Sequence, residues 1–296
     1  MSGIFSDHTV MVRGGGDLAS GTIHRLVRCG FPVIVLEIPR PSAIRRQVAF
    51  CEAVYDGAAV IEGVTCRLAA SPGEARKIAA RGEAALLIDP ECRSLKELRP
   101  WALVDAILAK KNLGTSRSMA SRTIALGPGF CAGKDVDLVI ETKRGHDLGR
   151  IITEGYAAPD TGVPGTIGGY GRERVVRAPA DGILEPEVSI GSQVETGQLI
   201  ARIFPAPSGK NAGPTAPSQT AVPVYATLSG LVRGMIRAGY PVTEGLKIAD
   251  IDPRKEEYAN CFTISDKARC IAGSVLEGLL WPQMRQAPDN SSQTEA

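Results

Sequence analysis

One segment of this chain occurs twice, at a constant offset of 48 residues. Residues 178–203 align with residues 226–251 without a gap, and the second half of each copy reads G-x-x-V-x-x-G-x-x-I-A-x-I. Short apolar strands alternate with glycine turns in both copies, which predicts two interlocking β-hairpin halves of one small barrel. The identical pairs are Ala178/Ala226, Gly182/Gly230, Gly191/Gly239, Val194/Val242, Gly197/Gly245, Ile200/Ile248, Ala201/Ala249 and Ile203/Ile251.

The repeat resembles the biotinyl/lipoyl domain, a barrel-sandwich hybrid. In such domains the modified lysine lies on a tight turn just after the first half and is usually flanked by methionines. Here the connection from Phe204 to Pro223 is rich in proline and carries Lys210 without flanking methionines. We therefore predict an unmodified all-β domain with a mobile connecting loop.

Near the start of the chain, an apolar run breaks into three glycines and is followed at once by apolar residues at helical spacing. This pattern predicts a strand, a tight turn and a helix with Asp17 as its N-cap. Two glycines and an alanine stand in the G-x-G-x-x-G/A register of a dinucleotide-binding turn, where a pyrophosphate lies on the helix N-terminus. The predicted cofactor-binding residues of this turn are Gly14, Gly15, Gly16, Asp17 and Leu18.

The next predicted strand ends in an acid, Glu37, which lies 21 positions after Gly16. An acid at this place can accept the two ribose hydroxyls of a nucleotide. Arg40 and Arg45 follow in a proline-framed loop, where they either contact an extra phosphate near the ribose or are simply exposed to solvent. The alternative for the whole segment is an ordinary βαβ unit without a ligand.

Strand-like and helix-like segments alternate through the first half of the chain, which favours a parallel sheet covered by helices. The predicted fold class is α/β: a Rossmann-like, mainly parallel sheet with a second, small all-β barrel-sandwich hybrid domain. The predicted limits are residues 1–173 for the dinucleotide-binding domain and 174–252 for the barrel. We expect residues 253–285 to form a helix that returns to the first domain, and residues 286–296 to be a disordered tail.

A dense polar stretch, residues 141–150, contains a glutamate, a lysine, two arginines and an imidazole. Arg144, His146 and Arg150 are predicted to form a cluster that binds the phosphates or the pterin end of a dinucleotide ligand. His146 beside Asp147 is a candidate general base, although neighbours in sequence need not face each other. The C-terminal helix is predicted to be capped by Ser265 or Asp266, and its residues Asp266, Lys267 and Arg269 are expected near the same crevice.

The charge and cysteine content exclude several classes of protein. The chain carries 34 basic and 32 acidic residues, for a net charge of +2, so neither nucleic acid nor an anionic membrane is expected as a partner. The seven scattered cysteines form no C-x-x-C pair, which indicates a reducing compartment and predicts no metal site. No signal peptide or run of about 20 apolar residues is found, so a cytoplasmic protein is expected.

Eight stretches together resemble the YqeB-like group of selenium-dependent molybdenum hydroxylase accessory proteins, whose first domain looks related to the XdhC/CoxI-type accessory factors. The resemblance spans residues 10–280 and departs at Cys51, Cys131 and Cys270, where small or hydroxyl residues are expected. The stretches are "GGGDLASGTIHRL", "PSAIRRQVAF", "KKNLGT", "LGPGF", "ETKRGHDLGRII", "TGVPGTIGGYGRERV", "KIADIDPR" and "TISDKAR".

The resemblance implies a role in maturing molybdenum hydroxylases, with a client hydroxylase and a small-molecule dinucleotide as partners and with homo-oligomers possible. The cofactor is then either molybdopterin dinucleotide or NAD(P), and the glycine turn suits both. Two alternatives stay open. One is an NAD(P)-dependent oxidoreductase in which His146 and Asp147 handle a proton. The other is a non-catalytic adaptor for a molybdoenzyme.

Overall fold

The computed structural model describes residues 4–162, 165–205 and 221–282. The chain divides into two compact units: Met1–Pro41, Ala49–Thr161 and Ile264–Ala296 form the first, and Ser42–Val48 and Gly162–Thr263 form the second. The domain limits predicted from the sequence lie at residues 173, 252 and 285, and these stay a prediction. The predicted loop around Lys210 and the predicted tail 286–296 lie outside the described residues.

The first unit contains eleven strands and five helices. The strands are β1 (Val10–Arg13), β2 (Val33–Glu37), β3 (Ala58–Ile61), β4 (Val64–Leu68), β5 (Ala84–Ile88), β6 (Ala102–Asp105), β7 (Arg122–Leu126), β8 (Cys131–Ala132), β9 (Leu138–Ile140), β10 (Ile151–Ile152) and β11 (Gly155–Tyr156). The helices are α1 (Asp17–Arg28), α2 (Ala53–Asp56), α3 (Pro72–Ala79), α4 (Leu95–Leu98) and α5 (Asp266–Leu280).

Nine of these strands form one mixed sheet in the order β10-β9-β7-β6-β1-β2-β5-β4-β3. Neighbours pair in parallel through the centre, whereas β3 with β4 and β9 with β10 pair antiparallel at the two edges. Strands β8 and β11 form a separate two-stranded antiparallel sheet.

The predicted fold class is wrong, because the large sheet is mixed and because strands and helices do not alternate regularly along the chain. Strands β3 and β4 are joined only by the turn at Glu62 and Gly63, so they form a hairpin rather than a crossover. The connection from β6 to β7 contains only the short 3-10 segment Arg117–Met119, and β9 returns to β10 without a helix. A parallel sheet covered by helices needs a crossover helix at these places.

Helices α1 and α5 pack against each other, and α5 also contacts β7 and β9. Their approach is close at Gly21, where an added Cβ atom would lie 2.7 Å from the carbonyl oxygen of Ala268. Ser265 caps α5, since its hydroxyl accepts a hydrogen bond from the Ala268 amide at 3.2 Å. That cap agrees with the sequence prediction of a helix start at Ser265 or Asp266.

Glu62, at the turn between β3 and β4, is hydrogen-bonded to the segment that begins α5. Its carboxylate accepts from the Ile264 amide at 2.8 Å and from the Arg269 guanidinium at 2.6 Å. Burial alone raises the pKa of Glu62, but the bonds from Ile264 and Arg269 outweigh it and hold this pKa below its usual value.

We expect acid to loosen the start of α5 through this contact. A carboxyl with a lowered pKa contributes stability above its unfolded pKa and loses that contribution as pH falls through its folded pKa. Amide hydrogen exchange in residues 264–270 should therefore accelerate between about pH 5 and about pH 3 beyond its intrinsic pH dependence. Glu62→Gln should show faster exchange already at neutral pH and little further acid effect. Identical pH profiles for the two proteins would contradict this role of Glu62.

The second unit contains two four-stranded antiparallel sheets, β12-β19-β17-β14 and β16-β15-β13-β18. Strand β13 pairs with both β15 and β18, and β17 pairs with both β14 and β19, so each repeat supplies strands to both sheets. The ranges are β12 (Val175–Arg177), β13 (Gly182–Pro186), β14 (Gln193–Val194), β15 (Leu199–Phe204), β16 (Val222–Tyr225), β17 (Gly230–Met235), β18 (Tyr240–Val242) and β19 (Lys247–Asp252).

The repeated glycines explain why the two copies share their pattern. A Cβ atom at Gly182 would overlap the carbonyl oxygen of Phe204, and one at Gly230 would overlap that of Asp252. Gly182 and Gly230 are 48 residues apart, and so are their partners Phe204 and Asp252. Each half of the unit therefore needs a glycine where two paired strands approach closely. Among the residues that the structure describes, no helix has the length and apolar character needed to cross a membrane.

Candidate functional site

The candidate site lies in the first unit, where the strand order reverses. From β1 the chain proceeds to β2 on one side, whereas β6 lies on the other side of β1 and leads to β7. Open sheets with parallel central strands leave a crevice at the carboxyl ends of such neighbouring strands. The turn after β1, Gly14–Asp17, and the loop after β6, which begins at Ala106, meet at this crevice.

Two of the three glycines in the turn are required by neighbouring backbone. Gly14 has φ +90°, and a Cβ atom there would lie 3.1 Å from the Ala106 oxygen. A Cβ atom at Gly15 would lie 2.9 Å from the nitrogen of Cys51, which donates to the Gly15 oxygen at 2.9 Å. Gly16 differs, since a Cβ atom there would meet nothing within 4 Å. Of the three glycines, only Gly16 has open space where a side chain would begin.

Gly15→Ala is expected to lower the free energy of unfolding by about 2 kcal/mol, because the new methyl group must displace the Cys51 backbone. Gly16→Ser is the matched control. It adds a larger side chain one residue away, into open space, where Ser can also cap the helix. Urea unfolding of the two variants measures the difference. Equal destabilisation of both would contradict the packing described for Gly15.

The structure places Gly16, not Asp17, at the N-cap of α1, which corrects the sequence prediction. Gly16 has φ −65° and ψ −179°, and no side chain caps the helix. Asp17 is the first helical residue and Leu18 is half-buried in the first turn. The first amides of a helix have no acceptor within it, and they give its N-terminus a partial positive charge.

Glu37, the predicted ribose-binding acid, holds the turn in place. One carboxylate oxygen accepts from the Gly15 amide and the other from the Ile38 amide, both at 2.8 Å. Burial raises the pKa of Glu37, while the two amide bonds oppose that rise. The carboxylate therefore lies at the turn as predicted, but it is bonded to backbone in this structure.

The two predicted arginines after β2 lie apart. Arg40 is exposed in the first unit. Arg45 belongs to the second unit, where it is buried and its Nη2 donates to the carbonyl oxygens of Asn260 and Thr263 at 3.0 and 2.9 Å. This placement corrects the interpretation of Arg45 as a solvent-exposed side chain, since its guanidinium is buried and bonded to backbone carbonyls.

The polar stretch 141–150 forms a loop closed by two backbone bonds between Glu141 and the segment Gly149–Arg150. The carboxylate of Asp147 pairs with Arg150 at 2.7 Å. His146 is exposed, and no hydrogen bond joins it to Asp147 among the described residues. The predicted His146 and Asp147 pair is therefore not assembled as a general base in this structure.

Arg144 instead connects the loop to the start of α5. Its two terminal nitrogens each donate to a carboxylate oxygen of Asp266 at 2.8 Å. The next residue, Lys267, is half-buried near Asp17 and Glu141. Burial, together with the positive charge of Arg144, lowers the pKa of Lys267. Lys267 thus interacts electrostatically both with Asp17, in the first turn of α1, and with Arg144.

A buried ion pair beneath the crevice was not found by the sequence analysis. Arg13 ends β1 and Asp105 ends β6, and their side chains lie 3.4 Å apart with almost no exposure. Thr115 hydrogen-bonds to both, and Arg13 also donates to the carbonyl oxygens of Pro90 and Leu113. Burial raises the pKa of Asp105, and the contacts with Thr115 and Arg13 oppose the rise. The sequence feature that could have revealed this pair is the charged residue that ends each of two apolar strands, Arg13 in β1 and Asp105 in β6.

The loop that this network anchors is conformationally unusual. Leu108 and Lys110 have φ of +61° and +63°, values that L-residues rarely adopt. A Cβ atom at Gly129, in the loop after β7, would lie 2.6 Å from the Lys111 nitrogen. Two close-packed loops, one of them strained, therefore follow β6 and β7, and strained backbone clusters at functional sites.

Cys51 borders the turn, because its backbone packs against Gly15. All seven cysteines are free thiols. Burial, together with the charges of Glu37 and Glu52, raises the pKa of Cys51 far above its usual value, so it is not a thiolate nucleophile. Within the described ranges, no group of three or more His, Cys, Asp or Glu side chains is placed to hold a metal ion.

Comparison with known proteins gives one relative at high identity. No family model matches the sequence. The chain is 50% identical over 271 residues to the protein from Escherichia coli (strain K12) named "Uncharacterized protein YqeB". The match covers 92% of this chain and 47% of the relative, so the chain spans about half the length of the curated relative it matches. The chain is a homologue of YqeB.

Solved structures show only distant similarity. An aspartoacylase family protein from Mesorhizobium loti matches at 14% identity and a TM-score of 0.28, covering 83% of this chain and 86% of that one. A succinylglutamate desuccinylase from Silicibacter matches at 12% identity and a TM-score of 0.25, covering 82% and 84%. The fold described above therefore stands on its own strand order and pairing.

Proposed function

We propose that this chain binds a dinucleotide at the Gly14–Asp17 turn and acts as an accessory protein in the maturation of a molybdenum hydroxylase. The observation that carries the binding proposal is the geometry of Gly16. This residue begins α1 at the reversal of strand order, without a side-chain cap and with open space at its Cβ position. A pyrophosphate can approach the helix amides there without displacing protein atoms.

The charges around the turn also favour an anionic ligand. Lys267 lies near Asp17 in the first turn of α1, and Arg144 lies near Lys267. Glu37 lies at the end of the adjacent strand, where a ribose would extend from a pyrophosphate on the turn. Carboxylate oxygens have lone pairs beyond those used by the two backbone amides.

Molybdopterin dinucleotide and NAD(P) share the pyrophosphate and ribose that these residues would contact, so the turn suits either ligand. The resemblance to selenium-dependent molybdenum hydroxylase accessory proteins favours the pterin dinucleotide. In this proposal the partner is a client hydroxylase in the cytoplasm, and the protein delivers the cofactor. XdhC/CoxI-type factors are the related group from which that role is inferred.

The alternative, an NAD(P)-dependent oxidoreductase, requires a residue that moves a proton beside the nicotinamide. The residues predicted for that step are His146 and Asp147, and Asp147 is paired with Arg150 instead. The geometry therefore supports binding better than hydride transfer.

The test is native mass spectrometry of the protein purified from two matched strains, one making molybdenum cofactor and one blocked in its synthesis. A bound mass present only in the first strain is the expected result. A nucleotide mass present in both strains would favour NAD(P). Protein that carries no ligand from either strain, and takes up neither dinucleotide when it is added, would contradict the proposal.

A further inference from the structure

A second cavity lies in the first unit, between α1 and α5, and has a volume of about 260 Å³. Its walls are formed by residues 21–29 of α1 and its C-cap and by residues 264–276, which include most of α5, and the N-cap of α1 at Gly16 is not among them. The lining residues are Gly21, His24, Arg25, Arg28, Cys29, Ile264, Arg269 and Leu276. No role proposed above uses this cavity.

The cavity is strongly cationic. Three guanidinium groups and one imidazole line it, and Glu62 balances only Arg269, at 2.6 Å. Arg25 and Arg28 have no ion pair or hydrogen bond through their side chains to any residue that the structure describes. Two arginine charges that share one cavity repel each other, and an anion between them relieves that repulsion.

The side chain of Arg25, on α1, packs against α5 at Gly273. A Cβ atom at Gly273 would lie 3.3 Å from Nη1 of Arg25, so the absence of a side chain at Gly273 makes room for the guanidinium. Glycine within a helix costs about 1 kcal/mol relative to alanine. Gly21 likewise lets α1 approach Ala268 closely. Because Gly21 and Gly273 lack side chains, the two helices can pack closely beside Arg25.

We propose that this cavity binds a phosphate group, either inorganic phosphate or the phosphate of a small phosphomonoester. Guanidinium groups bind phosphate oxygens through paired, charge-assisted hydrogen bonds, and Arg25, Arg28 and Arg269 supply several such donors. The volume is below the range of about 300–1,000 Å³ typical of drug-sized ligands, which matches a small anion. This site is distinct from the proposed dinucleotide site at Gly16.

The probe is inorganic phosphate added to the full chain, followed by thermal unfolding and by a chemical-shift titration, with chloride at equal ionic strength as the reference. We expect saturable binding with a Kd below about 1 mM and a rise in Tm of a few degrees. Arg25→Met should weaken phosphate binding at least tenfold. Arg28→Gln, an exposed change with little effect on folding, should weaken it several-fold.

Arg93→Met is the matched control, because Arg93 is exposed and its side chain pairs with Glu91, two residues earlier. It should leave phosphate affinity unchanged. Three results would overturn the proposal: no saturable binding, equal affinity in the Arg25 and Arg93 variants, or loss of binding in Gly16→Asp but not in Arg25→Met. The last result would place the phosphate on the N-terminus of α1. A fourth result would also overturn it: if Arg25→Met lowers Tm by the same amount with and without phosphate, Arg25 stabilises only the C-terminal end of α1.

Discussion

Asp105→Asn is expected to lower the free energy of unfolding by about 3 kcal/mol. The change leaves the Arg13 guanidinium buried without a counter-charge, and breaking one side of a buried pair costs about 3–5 kcal/mol. Asn retains the shape of the side chain and some of its hydrogen bonds to Thr115, which places the expected cost at the lower end. Urea denaturation with a linear extrapolation measures it.

Asp147→Asn is the control for this substitution. It removes the same charge from an arginine pair, but both side chains of that pair are mostly exposed, so the expected change is below about 0.5 kcal/mol. The double variant Arg13→Met/Asp105→Asn should cost at least 1 kcal/mol less than the sum of the two single variants. Strict additivity would show that Arg13 and Asp105 do not stabilise each other.

Gly16→Asp is expected to weaken dinucleotide binding about 30-fold while leaving the fold intact or slightly more stable. The Gly16 backbone already has the extended conformation of an N-cap, and open space surrounds its Cβ position. Asp is a favourable N-cap, with a gain of about 0.3 kcal/mol over Gly. Its carboxylate would lie where a pyrophosphate binds, and repulsion of about 2 kcal/mol lowers affinity about 30-fold. Thermal unfolding and retained ligand in native mass spectra give the two readouts.

Gly16→Asn separates charge from size. The amide has the shape of the carboxylate and also caps helices well, but it carries no charge. We expect Gly16→Asn to retain at least a third as much ligand as the natural protein. If Asn and Asp at this position reduce binding equally, the effect comes from filling the space and not from repelling a phosphate.

Local patterns predicted the elements around the turn well. Val10–Arg13 and the helix after Gly16 form as the apolar spacing indicated, and Ser265 caps α5. These features depend on residues within a few positions of one another, which a sequence displays directly. The exact N-cap of α1 was misassigned, because Asp17 is a strong capping residue by type although the chain places Gly16 there.

Strand pairing and contacts between residues far apart in the sequence could not be predicted. Strand β3 joins the sheet only through a hairpin with β4, and a short apolar segment does not indicate which neighbour it pairs with. Arg13 and Thr115 are about a hundred residues apart, so their contact is invisible to any local pattern. Arg45 follows β2 directly in sequence but is buried in the other unit, which sequence proximity to Glu37 did not suggest.

The central claim is that the first turn of α1 holds the ligand. Hydrogen–deuterium exchange on the protein with and without bound dinucleotide tests it most directly, with molybdopterin dinucleotide and NAD⁺ used separately. We predict slower exchange of the amides of residues 16–19 in the presence of whichever dinucleotide binds, because phosphate oxygens would accept from them. Binding that protects other parts of the chain and leaves these amides unchanged would contradict the claim.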